Sequence, residues 1–296
     1  MDLVEQFRNE SLSFLFSNIK FKTNFTLWKK QILKKIGNTK LETDKLMNLG
    51  DDLSTIFKTT SQSGRSQTTL SNAGYYWESL ICWYLNLCLV GSNSVVIRNV
   101  KELCPEVIND CMSVRYGTTT TNTESDLIGI TFPKKNFNSL TKFNIKDVNT
   151  IIKKNLDRIE ISNIQCKTNW NDNAQIPMLW DIVYSSKGFK SKYIKIGKNN
   201  YTLDDLKKFT YSFVTLPSQK ELKKFKTNSM PVLRVNNLSG GNYWGNNSVN
   251  GVALSIKEIF TNNFSYGVKN RTIRNDIEKE ASDYNYFLKR FKLITN

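Results

Sequence analysis

Residues 159–173 read IEISNIQCKTNWNDN, and this stretch carries the pattern on which fold and site both depend. Its first nine residues are rich in isoleucine and predict a β-strand that ends where the polar run begins. Side chains alternate between the two faces of a strand. One predicted face carries Ile159, Ile161, Asn163, Gln165 and Lys167. This face changes from apolar to polar along the strand, which places an amide and an ammonium group together at one rim of a β-sheet.

The charge of the chain indicates a polyanionic partner. The 296 residues include 42 Lys and Arg against 26 Asp and Glu, for a net charge of +16. Residues 71–133 nevertheless hold three basic and six acidic residues, whereas residues 134–226 hold 19 basic and eight acidic ones. An enzyme acting on nucleic acid needs both regions, because Lys and Arg bind phosphates while carboxylates bind a metal cation.

Residue types that are missing exclude several classes of chemistry. The sequence has no histidine, which excludes Ser-His and Cys-His nucleophile pairs and any nuclease that uses a histidine base. Its five cysteines contain no CxxC pair, which argues for reduced thiols and against a zinc site. The N-terminus lacks a signal-peptide pattern, and the most apolar run, residues 80–90, is too short to cross a bilayer. We therefore expect a cytoplasmic protein without a membrane partner.

The pattern along the chain predicts an α/β (α+β) fold, with a mixed central β-sheet flanked by helices and with helical additions at both termini. Helices are predicted within 1–60, 73–89, 146–156, 172–186, 251–260 and 272–293. Strands are predicted at 94–100, 124–133, 159–167, 192–197 and 209–217. The polar stretch 59–74 reads as a linker or mobile loop.

Acidic residues precede the QCK strand in two places. Asp126 opens the strand predicted at 124–133, and Glu78 is the single charged residue of the apolar helix predicted at 73–89. A carboxylate beside an amide oxygen and a backbone carbonyl offers the hard oxygen ligands that Mg²⁺ prefers. A nearby lysine stabilises the negative charge that grows on a phosphate during hydrolysis. Each residue also has a simpler reading: Asp126 in a turn, Lys167 at the surface end of a strand, and Glu78 at an exposed first helical turn.

These elements resemble the PD-(D/E)XK nucleases, and within them the type II restriction endonucleases. The resemblance covers roughly residues 73–186 and rests on YYWESLICWYL, ESDLIGI and the strand that ends in QCK. It implies that Asp126 is the metal-binding aspartate, Lys167 the catalytic lysine and Glu78 an additional glutamate. It further implies Mg²⁺ as cofactor, bound by Asp126, Gln165, Glu78 and the backbone carbonyl of Cys166. Double-stranded DNA is the implied substrate and a homodimer the implied assembly, with a separate cognate DNA methyltransferase protecting the host.

The sequence departs from the family pattern at several points. Gln165 occupies the position usually held by Asp or Glu, and Ser125 precedes the aspartate where proline is common. The resemblance divides the chain into a helical N-terminal region at 1–70 for DNA clasping or dimerisation, a catalytic core at 71–217, and a C-terminal region at 218–296. The long gap from Asp126 to Gln165 requires residues 134–158 to be a basic insertion in that core.

DNA contacts are expected from three stretches. The amide-rich run after the strand contains Asn169, Trp170, Asn171, Asn173 and Gln175. Amide side chains bind adenine in the major groove, although the same residues suit a turn that caps the next helix. Lys190 and Lys192 belong to a lysine series that either faces phosphate or is a solvated surface. Asn242, Tyr243 and Trp244 lie in a Gly-rich stretch that is either a DNA contact or a long turn with its aromatics in the core.

The function predicted from the sequence is sequence-specific, Mg²⁺-dependent hydrolysis of duplex DNA. Two alternatives remain: a structure-specific or repair nuclease on the same fold, and a non-catalytic DNA-binding protein descended from a nuclease. No P-loop spacing is present in the sequence, so ATP-driven translocation is not expected.

Overall fold

A computed structural model of the protein describes residues 2–37, 40–60, 67–122, 125–133, 140, 142–167, 194–215, 243–245, 263–264 and 272–294. Its α-helices are α1 (Leu3–Ser17), α2 (Ile19–Ile36), α3 (Thr43–Lys58), α4 (Gln67–Cys88), α5 (Glu106–Cys111), α6 (Ile145–Lys154), α7 (Thr272–Glu280) and α8 (Tyr284–Arg290). Its strands are β1 (Ser94–Arg98), β2 (Ser113–Tyr116), β3 (Thr119–Asn122), β4 (Leu127–Thr131), β5 (Glu160–Lys167), β6 (Ile194–Ile196), β7 (Lys208–Thr215) and β8 (Tyr243–Gly245).

A mixed five-stranded sheet forms the centre of the molecule. Its strand order is β1-β4-β5-β7-β8, with antiparallel pairing across the first three strands and parallel pairing across the last three. The predicted mixed sheet flanked by helices is confirmed at this level. A second, three-stranded antiparallel sheet, β3-β2-β6, stands beside it.

Both faces of the central sheet are covered, which explains why its strands are apolar along most of their length. On one face α4 packs against Val96, Leu127 and Ile164 in a large cluster to which α1, α2, α3, α7 and α8 also contribute. On the other face Ile128 and Ile161 pack against the start of α1 and against α5 and α6. The alternation predicted for the 159–167 strand is therefore confirmed.

Helix α4 is the buried central helix that its apolar sequence predicts, but it begins earlier than expected. It starts at Gln67, so the second half of the stretch predicted as a linker is helical. Gly74 inside the helix suggested a break, since glycine costs about 1 kcal/mol relative to alanine there. Burial of the helix from Trp77 onward offsets that cost.

The open edge of β1 is covered by side chains from two helices. On α1, Arg8 donates a hydrogen bond to the carbonyl of Ser94 (2.7 Å) and Ser11 donates to the carbonyl of Val96 (2.8 Å). On α4, the amide of Asn86 binds both the N–H and the carbonyl of Val96 (3.1 and 2.6 Å). These bonds satisfy backbone groups that an exposed edge strand would offer to another chain. They also fix α1 alongside the sheet, with the helix running in the same direction as β1.

The C-terminal helices are joined to the N-terminal one through a buried charge cluster of Glu5, Arg8 and Arg290. Arg8 is fully buried and its Nε lies 3.1 and 3.2 Å from the two carboxylate oxygens of Glu5. Arg290, which follows the N-cap Asp283 in α8, contacts the same carboxylate. A single helix was predicted over 272–293, whereas the chain breaks between Glu280 and Tyr284 to form two short helices.

Three further predictions can be placed against the described residues. The helices predicted at 172–186 and 251–260 lie outside them. The division of the chain at 70/71 and 217/218 stays a prediction, although α4 runs across the first boundary. Within the described part of the chain, no helix combines the length and the apolar character needed to cross a membrane.

Candidate functional site

The candidate site lies at one end of the central sheet, which we call the rim. Here β1 ends at Arg98, β4 begins at Leu127, and β5 and β7 end at Lys167 and Thr215. The register pairs Arg98 with Leu127 and Leu127 with Ile164. The residues just beyond these pairs therefore meet at the rim.

Asp126 is held at the rim by the strands on both sides. Its backbone carbonyl accepts a hydrogen bond from the N–H of Asn99, at the end of β1 (3.1 Å). Its carboxylate Oδ2 accepts one from the N–H of Cys166, in β5 (2.7 Å). Cys166 stands between Gln165 and Lys167, so the acid of one strand is bonded to the QCK backbone of its neighbour. The sequence predicted this meeting from two motifs 39 residues apart.

Gln165 is buried, with 3% of its surface exposed, and its Oε1 lies 3.5 Å from the hydroxyl of Tyr211. Tyr211 belongs to β7 and stands opposite Asn163 of β5 in the parallel ladder. Burial raises the pKa of Tyr211 well above its ordinary value, and the negative charge of Asp126 raises it further. The phenol is therefore neutral and able to donate its proton to Gln165.

A second buried contact supports the strand behind Gln165. The hydroxyl of Ser125 donates a hydrogen bond to Oδ1 of Asn163 (2.7 Å), and both residues are buried. The Nδ2 group of Asn163 finds no hydrogen-bond partner among the residues that the structure describes. Buried donors without partners are uncommon in folded proteins, and they are more frequent at functional sites.

Sequence reasoning did not assign a role to Ser125, Asn163 or Tyr211. Asn163 shared the predicted face with Gln165, which was a usable signal. Tyr211 alternates with Phe213 in the predicted 209–217 strand, but nothing in the sequence indicated which strand this one would pair with.

Glu78 is bound to a cation rather than exposed at a first helical turn. Its Oε2 lies 2.5 Å from Nη2 of Arg98, and the two side chains are 16% and 12% exposed. The guanidinium of Arg98 also stacks over the ring of Tyr75, 4.0 Å from its centre. Because Arg98 precedes the residue that binds the Asp126 carbonyl, the ion pair borders the rim. The structure thus gives Glu78 a partner that competes with a metal, and its predicted role as a ligand stays a prediction.

The remaining predicted residues are placed only in part. Lys167 is the last residue of β5, with its backbone opposite Thr215, and its side chain lies outside the described part of the chain. Tyr243 and Trp244 form β8 beside β7, again without described side chains. The other predicted DNA contacts lie outside the described residues: Asn169, Trp170, Asn171, Asn173, Gln175, Lys190, Lys192 and Asn242.

The rim can supply oxygen ligands for a metal, but few negative charges. In the described part of the chain, no group of three or more His, Cys, Asp or Glu side chains is arranged to hold a metal ion. Mg²⁺ is commonly bound by one or two carboxylates, with waters and substrate phosphates completing its shell. Asp126, the amide oxygen of Gln165 and a backbone carbonyl fit this sparse mode of binding, and they do not fit a closed cage of protein ligands.

Comparison with known proteins leaves these observations to stand alone. No family model, no curated protein and no solved structure matches the chain. Function is therefore approached through the chemistry of the rim and through the sequence motif that predicted it.

Proposed function

We propose that this protein is a Mg²⁺-dependent nuclease of the PD-(D/E)XK type, acting as a type II restriction endonuclease on duplex DNA. One observation carries the proposal: the Asp126 carboxylate is hydrogen-bonded to the backbone between Gln165 and Lys167. The sheet supports it, since antiparallel β1, β4 and β5 followed by parallel β7 form a mixed sheet of the kind that the resemblance implies. The net charge of +16 favours a polyanionic substrate.

The proposed roles follow from the chemistry of each group. Asp126, Gln165 and the carbonyl of Cys166 would hold Mg²⁺, with Glu78 as a further candidate ligand. When bound, the ion supplies positive charge to the phosphodiester and lowers the pKa of a water molecule. The N–H of Cys166 orients the Asp126 carboxylate, and the hydroxyl of Tyr211 orients the Gln165 amide. The ammonium of Lys167 would stabilise the charge that develops on the phosphate.

Gln165 explains why the proposed site need not hold two buried carboxylates. A second unpaired carboxylate at this buried position would repel Asp126 and be costly to desolvate. An amide avoids both costs but binds a cation less tightly. We therefore expect a weak, readily reversible requirement for Mg²⁺.

The test compares plasmid cleavage by the parent protein and by two variants, Asp126→Asn and Lys167→Ala, with and without Mg²⁺. Both variants should bind DNA and cut at least about 100-fold more slowly, since each removes a group that stabilises the transition state. Lys154→Ala is the matched control, because Lys154 is exposed near the start of β5, at the opposite end of the sheet from the rim. It should cut like the parent.

The products distinguish the alternatives. Discrete fragments from an intact plasmid support a restriction enzyme, and sequencing their ends gives the recognition site. Cuts confined to flaps or junctions indicate a repair nuclease instead. DNA binding without any Mg²⁺-dependent cutting indicates a degenerate nuclease. Sedimentation of the protein with and without DNA tests the proposed homodimer, which a two-fold symmetric site would favour.

A further inference from the structure

A groove with four lysines on its walls lies at the surface formed by α1, α2 and the chain after α8. We call it the lysine groove and define it by Lys22, Lys29, Lys289 and Lys292. Its volume is about 530 Å³, and no Asp or Glu is among the described residues that line it. A concave surface with charges of one sign concentrates the electrostatic potential and attracts an oppositely charged ligand.

The lysines of the groove lack the partners that other lysines of the protein have. Lys35 binds Asp52 at 2.9 Å and Lys45 binds Glu42 at 2.7 Å. Within the described residues, none of the four groove lysines forms an ion pair with a carboxylate. Helix α2 itself has six lysines and no acidic residue. Folding therefore brings several uncompensated positive charges together, and an anionic ligand would relieve their repulsion.

The groove has an apolar floor that holds its walls in place. Phe16 of α1 and Phe25 of α2 meet edge to face, with ring centres 4.9 Å apart. The hydroxyls on the walls donate their protons to the protein itself: Ser17 to the carbonyl of Phe14 (2.7 Å) and Thr26 to that of Lys22 (3.0 Å). The lysines are consequently the main donors that the groove offers to an anion. Ammonium groups read charge and not base identity, which suits a sugar–phosphate backbone.

The position of the groove relates it to the rim. Arg8 of α1 binds the first residue of β1 and Ser11 binds the third, so the helix advances toward the rim as β1 does. The end of α1, which lines the groove, therefore lies at the rim end of the sheet. Crossing from β5 over β4 and β1 to the far side of α1 covers about 20 Å, from a strand spacing of about 4.8 Å and a helix packing distance of about 10 Å. That length corresponds to about six base pairs at about 3.4 Å each, or roughly half a turn of duplex.

We propose that the lysine groove binds the sugar–phosphate backbone of duplex DNA about half a turn away from the phosphate at the rim. This inference rests on the proposed function for the identity of the ligand. The groove would supply affinity that is independent of base sequence, while the rim performs the chemistry. The salt dependence of binding would then arise partly from residues that are remote from the cut.

The experiment measures the affinity of the full-length protein for a duplex in EDTA over a range of salt concentrations. The double variant Lys22→Ala/Lys289→Ala removes two exposed lysines from opposite walls of the groove. It should reduce the slope of log affinity against log salt by about two, one for each lost phosphate contact, and weaken binding at least tenfold at low salt. The control is Lys154→Ala/Lys279→Ala, which removes the same charge from exposed positions near the opposite end of the sheet. The control should keep the slope of the parent.

The outcomes separate the groove from the catalytic proposal. Equal slopes for the two double variants overturn the groove, whether or not the parent cuts DNA. A slope reduced in the groove variant alone supports the groove, even if the parent fails to cut with Mg²⁺, in which case only the catalytic proposal falls. A parent that does not bind duplex DNA overturns both. Circular dichroism of the variants checks that each is folded.

Discussion

The buried charge cluster and the rim are both polar sites at the edge of one hydrophobic core, and they differ in how completely their polar groups are satisfied. In the cluster, the carboxylate of Glu5 accepts hydrogen bonds from Arg8, from Arg290 and from the N–H of Gly91 (2.8 Å). At the rim, Asn163 retains a buried donor without a described partner. Asp126 stands there as a half-buried carboxylate with no ion pair to a described residue within 4.0 Å.

The difference indicates what each site contributes. A buried charge network in which each member has a partner orders the chain, and here it connects the first helix to the last. A polar site with unused capacity costs stability and is retained where a ligand completes it. The cluster should therefore respond to mutation through stability, and the rim through binding and cleavage.

The largest change in stability is expected for Glu5→Gln. The substitution keeps the shape but leaves Arg8, which is fully buried, and Arg290 without a counter-charge. Removing one partner of a buried ion pair costs about 3–5 kcal/mol. Urea unfolding followed by circular dichroism measures the loss. Glu42→Gln breaks an exposed pair with Lys45 and should cost less than about 1 kcal/mol. Similar costs for both variants would contradict the role given to the cluster.

Acid should reduce the difference between the parent and Glu5→Gln. Burial alone would raise the pKa of Glu5, but the charges of Arg8 and Arg290 outweigh burial and bring it below the ordinary 4.5. A group with a lowered folded pKa stabilises fully above its unfolded pKa and loses this contribution as the pH falls through the folded value. The gap in unfolding free energy between the two proteins should thus be constant near neutrality and shrink below pH 4.5. A gap that grows in acid would show that the carboxylate is not stabilised as the charged form.

A smaller effect is expected for Glu78→Gln, which tests where the rim begins. If Glu78 serves chiefly to hold Arg98, the neutral amide weakens a charge-assisted bond and costs about 1–3 kcal/mol. The Mg²⁺ concentration for half-maximal cleavage should then stay the same. The measurements are urea unfolding and a Mg²⁺ titration of cleavage. A tenfold rise in the required Mg²⁺ with unchanged stability would instead make Glu78 a metal ligand.

Predictability from the sequence followed the range of the interactions involved. Strands β1, β4, β5 and β7 were each predicted to within three residues, because β-branched runs and alternation are local signals. The meeting of Asp126 with the QCK strand was also accessible, since both motifs stand at strand ends. The core faces followed from alternation alone.

Other features were beyond the reach of local signals. Strand β8 has three residues in a stretch rich in glycine and asparagine, and it exists because β7 offers an edge for pairing. The contact of Tyr211 with Gln165 depends on the register of two parallel strands that are distant in sequence. The partner of Glu78 depends on how α4 packs over β1. Each of these depends on tertiary packing and not on propensity.

The smallest effect is expected for Tyr211→Phe, which probes the support of Gln165 without changing charge or shape. The lost hydroxyl lies 3.5 Å from Oε1 of Gln165, a long and therefore weak hydrogen bond. Its loss should change the unfolding free energy by about 1 kcal/mol or less, because the phenyl ring still fills the buried site. If the hydroxyl orients a metal-binding amide, the Mg²⁺ needed for half-maximal cleavage should still rise a few-fold. Tyr201→Phe, which alters a hydroxyl away from the rim, is the matched control and should leave that concentration unchanged. An equal response of the two variants would show that Tyr211 supports the fold alone, and the rim would then lose one of the features that set it apart from the charge cluster.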